Sequence, residues 1–451
     1  MNVRREKIPW ATFVALSLGM IVFGLAESYG PVTVADGVIS SKHAWLGYSL
    51  PYIFGGIGSM LAGYLTDRLG RKRAFLLTSG MIIIGLLLFI PVYFYHTSTA
   101  AMLALAIVSM ALVGMAAIGL ETPVLVTMVE SVGSRYRGKL LVLAQNFGNL
   151  GVALAFVPLL LVRGQAGMTL QSKVALLMMY AAPVAALIIA WLKANETLPW
   201  KAVRGKKADI HDAWKTVDST SDTVKPTTGV KARLAILMAI GISQNVAFVY
   251  IVYGATYLYF SNANFLGVGV PTLIPMVGGF LMMVVGVLTG LFVADRVERR
   301  NFAVWSFGLL SLFWALLLSL FWALLMGVTL ASGLKFTPGV FLVYSLLFIP
   351  LETTWAARAM LEPELFPTRM RGTYVAVTQM VVWIAAGFIT GAMSFLTSLT
   401  SSFVAGASVM LVVSLVGTGA AIAWKLVGFE TKGKNLLGLD LHGEVAPSKE
   451  L

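Results

Sequence analysis

The chain has 451 residues, 58% of them apolar and only 12% charged, with a mean hydropathy of +0.85. Soluble proteins carry charge on about a quarter of their residues, so a water-soluble enzyme and a disordered chain are excluded. A nucleic-acid-binding domain is excluded too, despite a formal net charge of +13, because it needs Lys and Arg spread over a polar face. The absence of Cys removes disulfides, thiolate metal sites and a cysteine nucleophile, and no metal or other cofactor is expected.

A bilayer core about 30 Å thick takes about 20 apolar residues as helix. In chain order, the charge-free stretches resolve into twelve predicted spans. They centre near Met20, Phe54, Ile84, Met110, Leu150, Pro183, Phe248, Phe280, Trp314, Leu347, Ile384 and Val413. Single apolar runs far exceed a barrel strand, so the spans are helices. The first run, 8–26, follows Arg4, Arg5 and Lys7 as a signal peptide would. It lacks a small-residue cleavage site and continues through Glu27 to Pro31, so it reads as the first span.

Placing the N terminus in the cytoplasm puts 28 of the 33 basic residues on the cytoplasmic side. Lys42, Arg163, Lys173 and Lys335 fall outside, and Arg358 lies within a span. The expectation is a multi-pass plasma-membrane protein, monomeric in the lipid bilayer, with both termini cytoplasmic. Residues 1–192 form one six-helix bundle and 234–428 a second. A cytoplasmic linker, 193–233, separates them, and 429–451 form a cytoplasmic tail. The linker's polar composition suits a flexible or short-helical segment, with 210–217 as an amphipathic turn on the membrane surface.

The halves repeat each other. Glu130 recurs as Glu364, Arg137-Gly138 as Arg371-Gly372, Gln145 as Gln379, and Glu196-Thr197 as Glu430-Thr431, always 234 residues apart. Gly63 to Arg73 reads GYLTDRLGRKR, and ADRVERR follows at 294–300. Upstream, Leu120-Glu121-Thr122 pairs with Leu351-Glu352-Thr353. An ordered series of this kind marks a duplicated six-helix unit. Parallel repeats about an axis along the membrane normal suggest alternating access around a midplane site.

Gly63-x-x-x-Asp67-Arg68-x-Gly70-Arg71-x-Arg73 resembles the loop signature of the major facilitator superfamily. The repeated Glu-x6-Arg-Gly, Gln145, Asn195-Glu-Thr197 and Phe429-Glu-Thr-Lys-Gly433 resemble its sugar-porter branch, or related metabolite:proton symporters. The resemblance covers nearly the whole chain and implies an all-α membrane fold of twelve helices in two pseudo-symmetric bundles. It also implies a cytoplasmic gate in which these loops interlock. The candidates are Gly63, Asp67, Arg68, Gly70, Arg71, Arg73, Glu130 and Arg137 in one half, and Asp295, Arg296, Arg299, Arg300, Glu364 and Arg371 in the other. Acids at helix N-termini and arginines paired to them suit such a device. Glu298 stands where the first copy has Gly70, so the second turn is expected to be less tight.

An ionisable residue inside a span is a functional candidate, because lipid exposure costs several kcal/mol. Glu27, Glu121 and Glu352 are the proton-coupling candidates, with Glu121 and Glu352 taken as matching positions. Proton-coupled sugar porters carry an acid beside the corresponding Phe-Gly of span one, and Glu27 lies one residue beyond it. Their partner arginine on span four falls here at Met110. Arg358 reads as a structural cation, four residues before Glu362 and long enough to snorkel.

Amides and aromatics at helical spacing give the substrate-binding candidates: Gln145, Asn149, Gln244, Tyr253, Trp355, Gln379 and Trp383. The sugar-porter resemblance implies solute contacts for Gln145, Gln244 and Trp383. Other expected positions hold Val249, Ala359 and Val382, so a hexose site would lack several donors. The leading expectation is a proton-coupled symporter of a sugar or similar small polar metabolite, with protons as its other partner. A drug or organic-cation antiporter and a passive facilitator stand as alternatives. The antiporter is disfavoured because span five lacks a Gly-Pro-x-x-Gly-Gly run. The four His lie in loops and tails without a nucleophile at useful spacing, so no enzyme is expected.

Overall fold

The computed structural model describes residues 9–162, 195–205, 209–328, 336–400 and 403–442, and six positions between 181 and 192. The sixth predicted span falls mostly outside the described residues, as do Arg163, Lys173, Lys335 and the tail beyond 442. Among the described residues, ten helices are long and apolar enough to cross a bilayer. In order they are Trp10–Ala35, Arg71–Tyr95, Ala100–Ser131, Arg137–Leu160, Val230–Phe260, Val270–Phe292, Arg299–Ser319, Pro338–Glu364, Arg371–Ala392 and Ala405–Val427. They are spans one, three to five and seven to twelve. Span two, Leu50–Leu69, is equally helical but diluted by Gly, Ser and Thr. It needs no lipid-facing apolar girdle all round, because it packs between spans four and eleven.

Two seams join the halves: span two lies along span eleven, and span five along span eight. Small residues permit both approaches. A Cβ on Gly63 would strike Ala376 and the Gly372 carbonyl, and one on Gly372 would come within 2.9 Å of the Gly63 carbonyl.

Spans seven and ten are interrupted. A π-helical turn, Tyr250–Gly254, divides span seven, the type of irregularity that collects at functional sites. Span ten breaks at Leu347 between Pro338–Leu346 and Phe348–Glu364. There Pro350 offers no N–H to the Leu346 carbonyl. A two-residue hairpin, Asn264–Phe265 with Val268–Gly269, caps span seven. Its turn residues Leu266 and Gly267 both have positive φ, as a type I′ turn requires. The patterning gave no sign of it.

The linker corrects an expectation. Helix Ile210–Val217 forms, but its apolar face turns inward to the protein rather than to the membrane surface. Trp214 is fully buried, its indole donating to Asp440 at 2.7 Å and its ring lying 5.6 Å from the Arg371 guanidinium. Val224 and Asn435 exchange main-chain bonds with each other's strands, so linker and tail are tied beneath the bundle.

Candidate functional site

At the basic end of the bundle, Glu130 and Glu364 are the centres of two matching clusters. Glu130 accepts from Arg71 at 2.7 and 3.0 Å and from Thr197 at 2.6 Å within its own half. It accepts from Arg371 of the other half at 2.7 Å. Glu364 accepts from Arg299 at 3.2 Å and from Thr431 in its half, and from Arg137 of the first half at 2.8 Å. The two clusters use the same side chains in the same roles, so the sequence repeat is also a structural one. All four arginines are buried. Their ion pairs hold because each carboxylate has several donors; a buried pair with bonds unmade is costly.

Asp67 and Asp295 fix the main chain beside these clusters. Gly372 and Thr373 N–H donate to Asp67 at 3.0 and 2.7 Å, and Lys139 N–H donates to Asp295 at 3.0 Å. Each acid thus caps the start of a helix from the opposite half, where the helix dipole favours negative charge. Burial pushes the Asp295 carboxyl above its ordinary value, opposed by Arg299 and the Lys139 amide.

The predicted loop around Gly70 is a single-residue break between two helices. Gly70 has φ +106°, and a Cβ there would lie 3.1 Å from Trp200, so only glycine fits comfortably. Glu298 has no positive φ, and its copy is a longer turn, as the substitution implied. Arg68, Arg73 and Arg296 are exposed at the rim. Arg68 covers Tyr64, and Arg300 donates to the Gly428 carbonyl at 3.2 Å.

At mid-depth, Phe23, Glu27, Gln244, Asn245, Phe248, Trp355 and Trp383 line a small cavity. Phe23 and Glu27 are one helical turn apart, so one face of span one supplies both. Tyr52 stacks on Trp383 with centroids 5.6 Å apart. Tyr48 meets Tyr257 at 4.9 Å, and Ser28 bonds the Tyr253 hydroxyl at 2.9 Å. Each of these contacts joins the two halves, on the side away from the basic end. Glu27 is buried, and its Oε1 has no hydrogen-bond partner among the described residues.

Arg358 lies behind Gln244 and Asn245 of that lining, and here the structure corrects the reading of it as a snorkelling cation. It is only 1% exposed, and it reaches across to spans four, seven and eleven. It donates to Gln244 at 2.5 Å, to Asn245, and to Gln379 at 3.2 Å. Glu362 lies 2.8 Å away, as the four-residue spacing implied, and Glu121 3.5 Å away. Gln379 also donates to Glu362 at 2.7 Å and accepts from Trp383 at 2.8 Å. Asn245 and Glu362 were missed as site residues. A polar residue facing Arg358 from span seven was the available signal.

The pairing of Glu121 with Glu352 also needs correction. Span four runs unbroken from Glu121 to Glu130, and span ten from Trp355 to Glu364. Both intervals are nine residues, so the counterpart of Glu121 is Trp355, whose indole donates to it at 3.4 Å. Glu352 is three residues earlier, which turns it about 60° around the helix. It faces span five and accepts from Asn149 at 2.5 Å. Asn149 is therefore drawn off the central cavity, while Gln145 is fully buried with neither amide atom bonded among the described residues.

Residues 2–156 match the sequence model of the Major Facilitator Superfamily. The chain is 28% identical over 221 residues to the facilitated trehalose transporter Tret1 of Culex quinquefasciatus, covering 44% of this chain and 39% of that protein. With the protein of the same name from Anopheles gambiae it is 25% identical over 248 residues, 50% of this chain and 29% of the other. The chain thus spans well under half the length of these curated relatives. The structure of the proton:xylose symporter XylE bound to 6-bromo-6-deoxy-D-glucose is similar at a TM-score of 0.75 and 18% identity. That likeness covers 96% of this chain and 98% of that one. A partially occluded inward-open form of the xylose transporter XylE from E. coli scores 0.67 at 17% identity, covering 95% and 99%. The chain has the major facilitator fold: an all-α membrane protein of twelve transmembrane helices in two pseudo-symmetric six-helix bundles. By its motifs it resembles the sugar porters of that superfamily.

Proposed function

We propose that the protein is a secondary active transporter working by alternating access, and that it carries a sugar or similar small polar metabolite together with protons. The observation that carries this reading is the doubled ion-pair gate, Arg137 to Glu364 and Arg371 to Glu130, joining the halves at one end of the interface beneath the cavity. A gate built identically from both halves suits bundles that rock about a fixed site. The basic excess at that end makes it the cytoplasmic one, in a plasma-membrane protein with both termini inside.

In this reading Gln145 and Gln244 supply donors and acceptors to the solute's hydroxyls, and Trp355 and Trp383 cover its apolar faces. Glu27 takes the proton, since an unpaired carboxylate in an aromatic cavity is costly to keep charged. Glu121 and Arg358 answer that charge behind the cavity lining. The sugar transport named for the relatives supports the substrate class, although their whole length is not matched.

A second reading has one observation in its favour. Glu27 beside Phe23, Phe248, Trp355 and Trp383 is also a box for an organic cation, held by charge and ring faces. A thermal-shift screen of sugars, polyols and organic cations on the purified protein separates the two solute classes. For coupling, Glu27→Gln in proteoliposomes should abolish uphill uptake while leaving equilibrative exchange measurable. Accumulation at the native level would sink the role of Glu27 and move the coupling to another group, whereas no uphill uptake by the native protein would favour passive facilitation.

A further inference from the structure

Glu352 stands apart from the central cavity in surroundings of a different kind. It is fully buried and forms no ion pair among the described residues. Its Oε2 accepts from Asn149, and its Oε1 has no partner. Asn149 also donates to Asn146 Oδ1 at 2.9 Å, and Asn146 donates to the Met283 carbonyl at 2.7 Å. The amide oxygen of Asn149 is a second buried acceptor with no donor. Both carboxylate oxygens and two amide oxygens thus share one small cluster, with the Met283 carbonyl beside it through the Asn146 amide. Gly286 of span eight lies against it, and a Cβ there would strike both Asn146 Oδ1 and Glu352 Oε1. The glycine therefore leaves these oxygens room to converge.

A carboxylate at this depth, with only one neutral donor, is costly to keep ionised unless a cation joins it. The donor set is entirely hard oxygen, and its single negative charge matches a monovalent ion better than Ca²⁺ or Mg²⁺, which gather several carboxylates. We propose that Glu352, Asn149, Asn146 and the Met283 carbonyl form a Na⁺ site at the seam between the halves, Asn149 turning its amide oxygen to the ion. Span five belongs to the first half and spans eight and ten to the second. An ion held there bridges the halves, and, resting on the transport reading above, it is released when they part along this seam.

The purified full-length protein is melted in NaCl and, at equal ionic strength, in KCl and choline chloride. Na⁺ should raise the midpoint saturably, K⁺ and choline should not, and Glu352→Gln should remove the increment. Glu352→Asp keeps the charge but withdraws it. It should lower the apparent Na⁺ affinity about tenfold, and it carries the test if the Gln variant does not fold. Equal midpoints in the three salts overturn the site, as does a Na⁺ increment retained in Glu352→Gln. A pH dependence of the midpoint that is alike in Na⁺ and K⁺ and is lost in Glu352→Gln assigns Glu352 a proton and also overturns it. The measurement needs no transport, so failed uptake leaves the site standing, and absent Na⁺ binding leaves the transport reading standing.

Discussion

The proposed gate and the mid-depth cavity handle buried charge in opposite ways. At the gate, Glu130 and Glu364 each gather arginines from both halves and a threonine hydroxyl, and the arrangement occurs twice. In the cavity region, one arginine serves Glu121 and Glu362, Glu27 keeps a bare oxygen, and Gln145 keeps both amide atoms unbonded. Gln379, the repeat partner of Gln145, is instead fully engaged with Arg358, Glu362 and Trp383. A latch has to complete its own bonds in the state it holds. A site that takes up and releases a solute or ion must leave some bonds for the visitor, and it has no reason to leave them symmetrically.

That contrast can be broken most severely at the gate. Glu364→Gln leaves Arg137 and Arg299 buried against each other and should destabilise the closed state by about 3–5 kcal/mol. Thermal melting of the purified protein and initial uptake rates read this, and Glu130→Gln should match it. Melting unchanged in either variant would show that the pairs do not hold the halves together. Behind the cavity lining, Arg358→Lys keeps the charge but cannot fork to Gln244, Gln379 and the carboxylates at once. It should cost about 2 kcal/mol, and a neutral result would mean that the fork is redundant. The smallest effect sharpens the difference between the two gate copies. Gly70→Ala should cost about 1–2 kcal/mol because of its left-handed backbone, while Glu298→Ala should stay within about 0.5 kcal/mol. Equal melting shifts would mean that the Gly70 break is not a strained position.

Most of the architecture was legible because a bilayer writes itself into a chain as uninterrupted apolar runs, and because Glu130, Arg137-Gly138 and Glu196-Thr197 recur at one spacing. The interruptions were not legible. The π turn at Tyr250–Gly254 has no compositional mark, and the hairpin at 264–269 depends on Leu266 accepting a positive φ. The site was half legible. Residue types named the right helices, but neither the reach of Arg358 to three other spans nor the direction of Asn149 follows from spacing along one helix. The matched Leu-Glu-Thr tripeptides misled for a physical reason. A three-residue slip leaves the letters alike and turns the side chain to another neighbour.

Trp355 donating to Glu121 has a meaning beyond its hydrogen bond. These residues are counterparts in the two halves, and counterparts can touch only on the axis that relates them. When a unit is duplicated, a position off the axis can keep its charge in both copies, because Arg137 meets Glu364 while Arg371 meets Glu130. A position on the axis is confronted by its own copy, and two glutamates there would repel at close range with no water between them. One copy must diverge, so the centre of the molecule is where the halves cannot remain identical. A protein grown from two equal parts is thereby required to make its middle unequal.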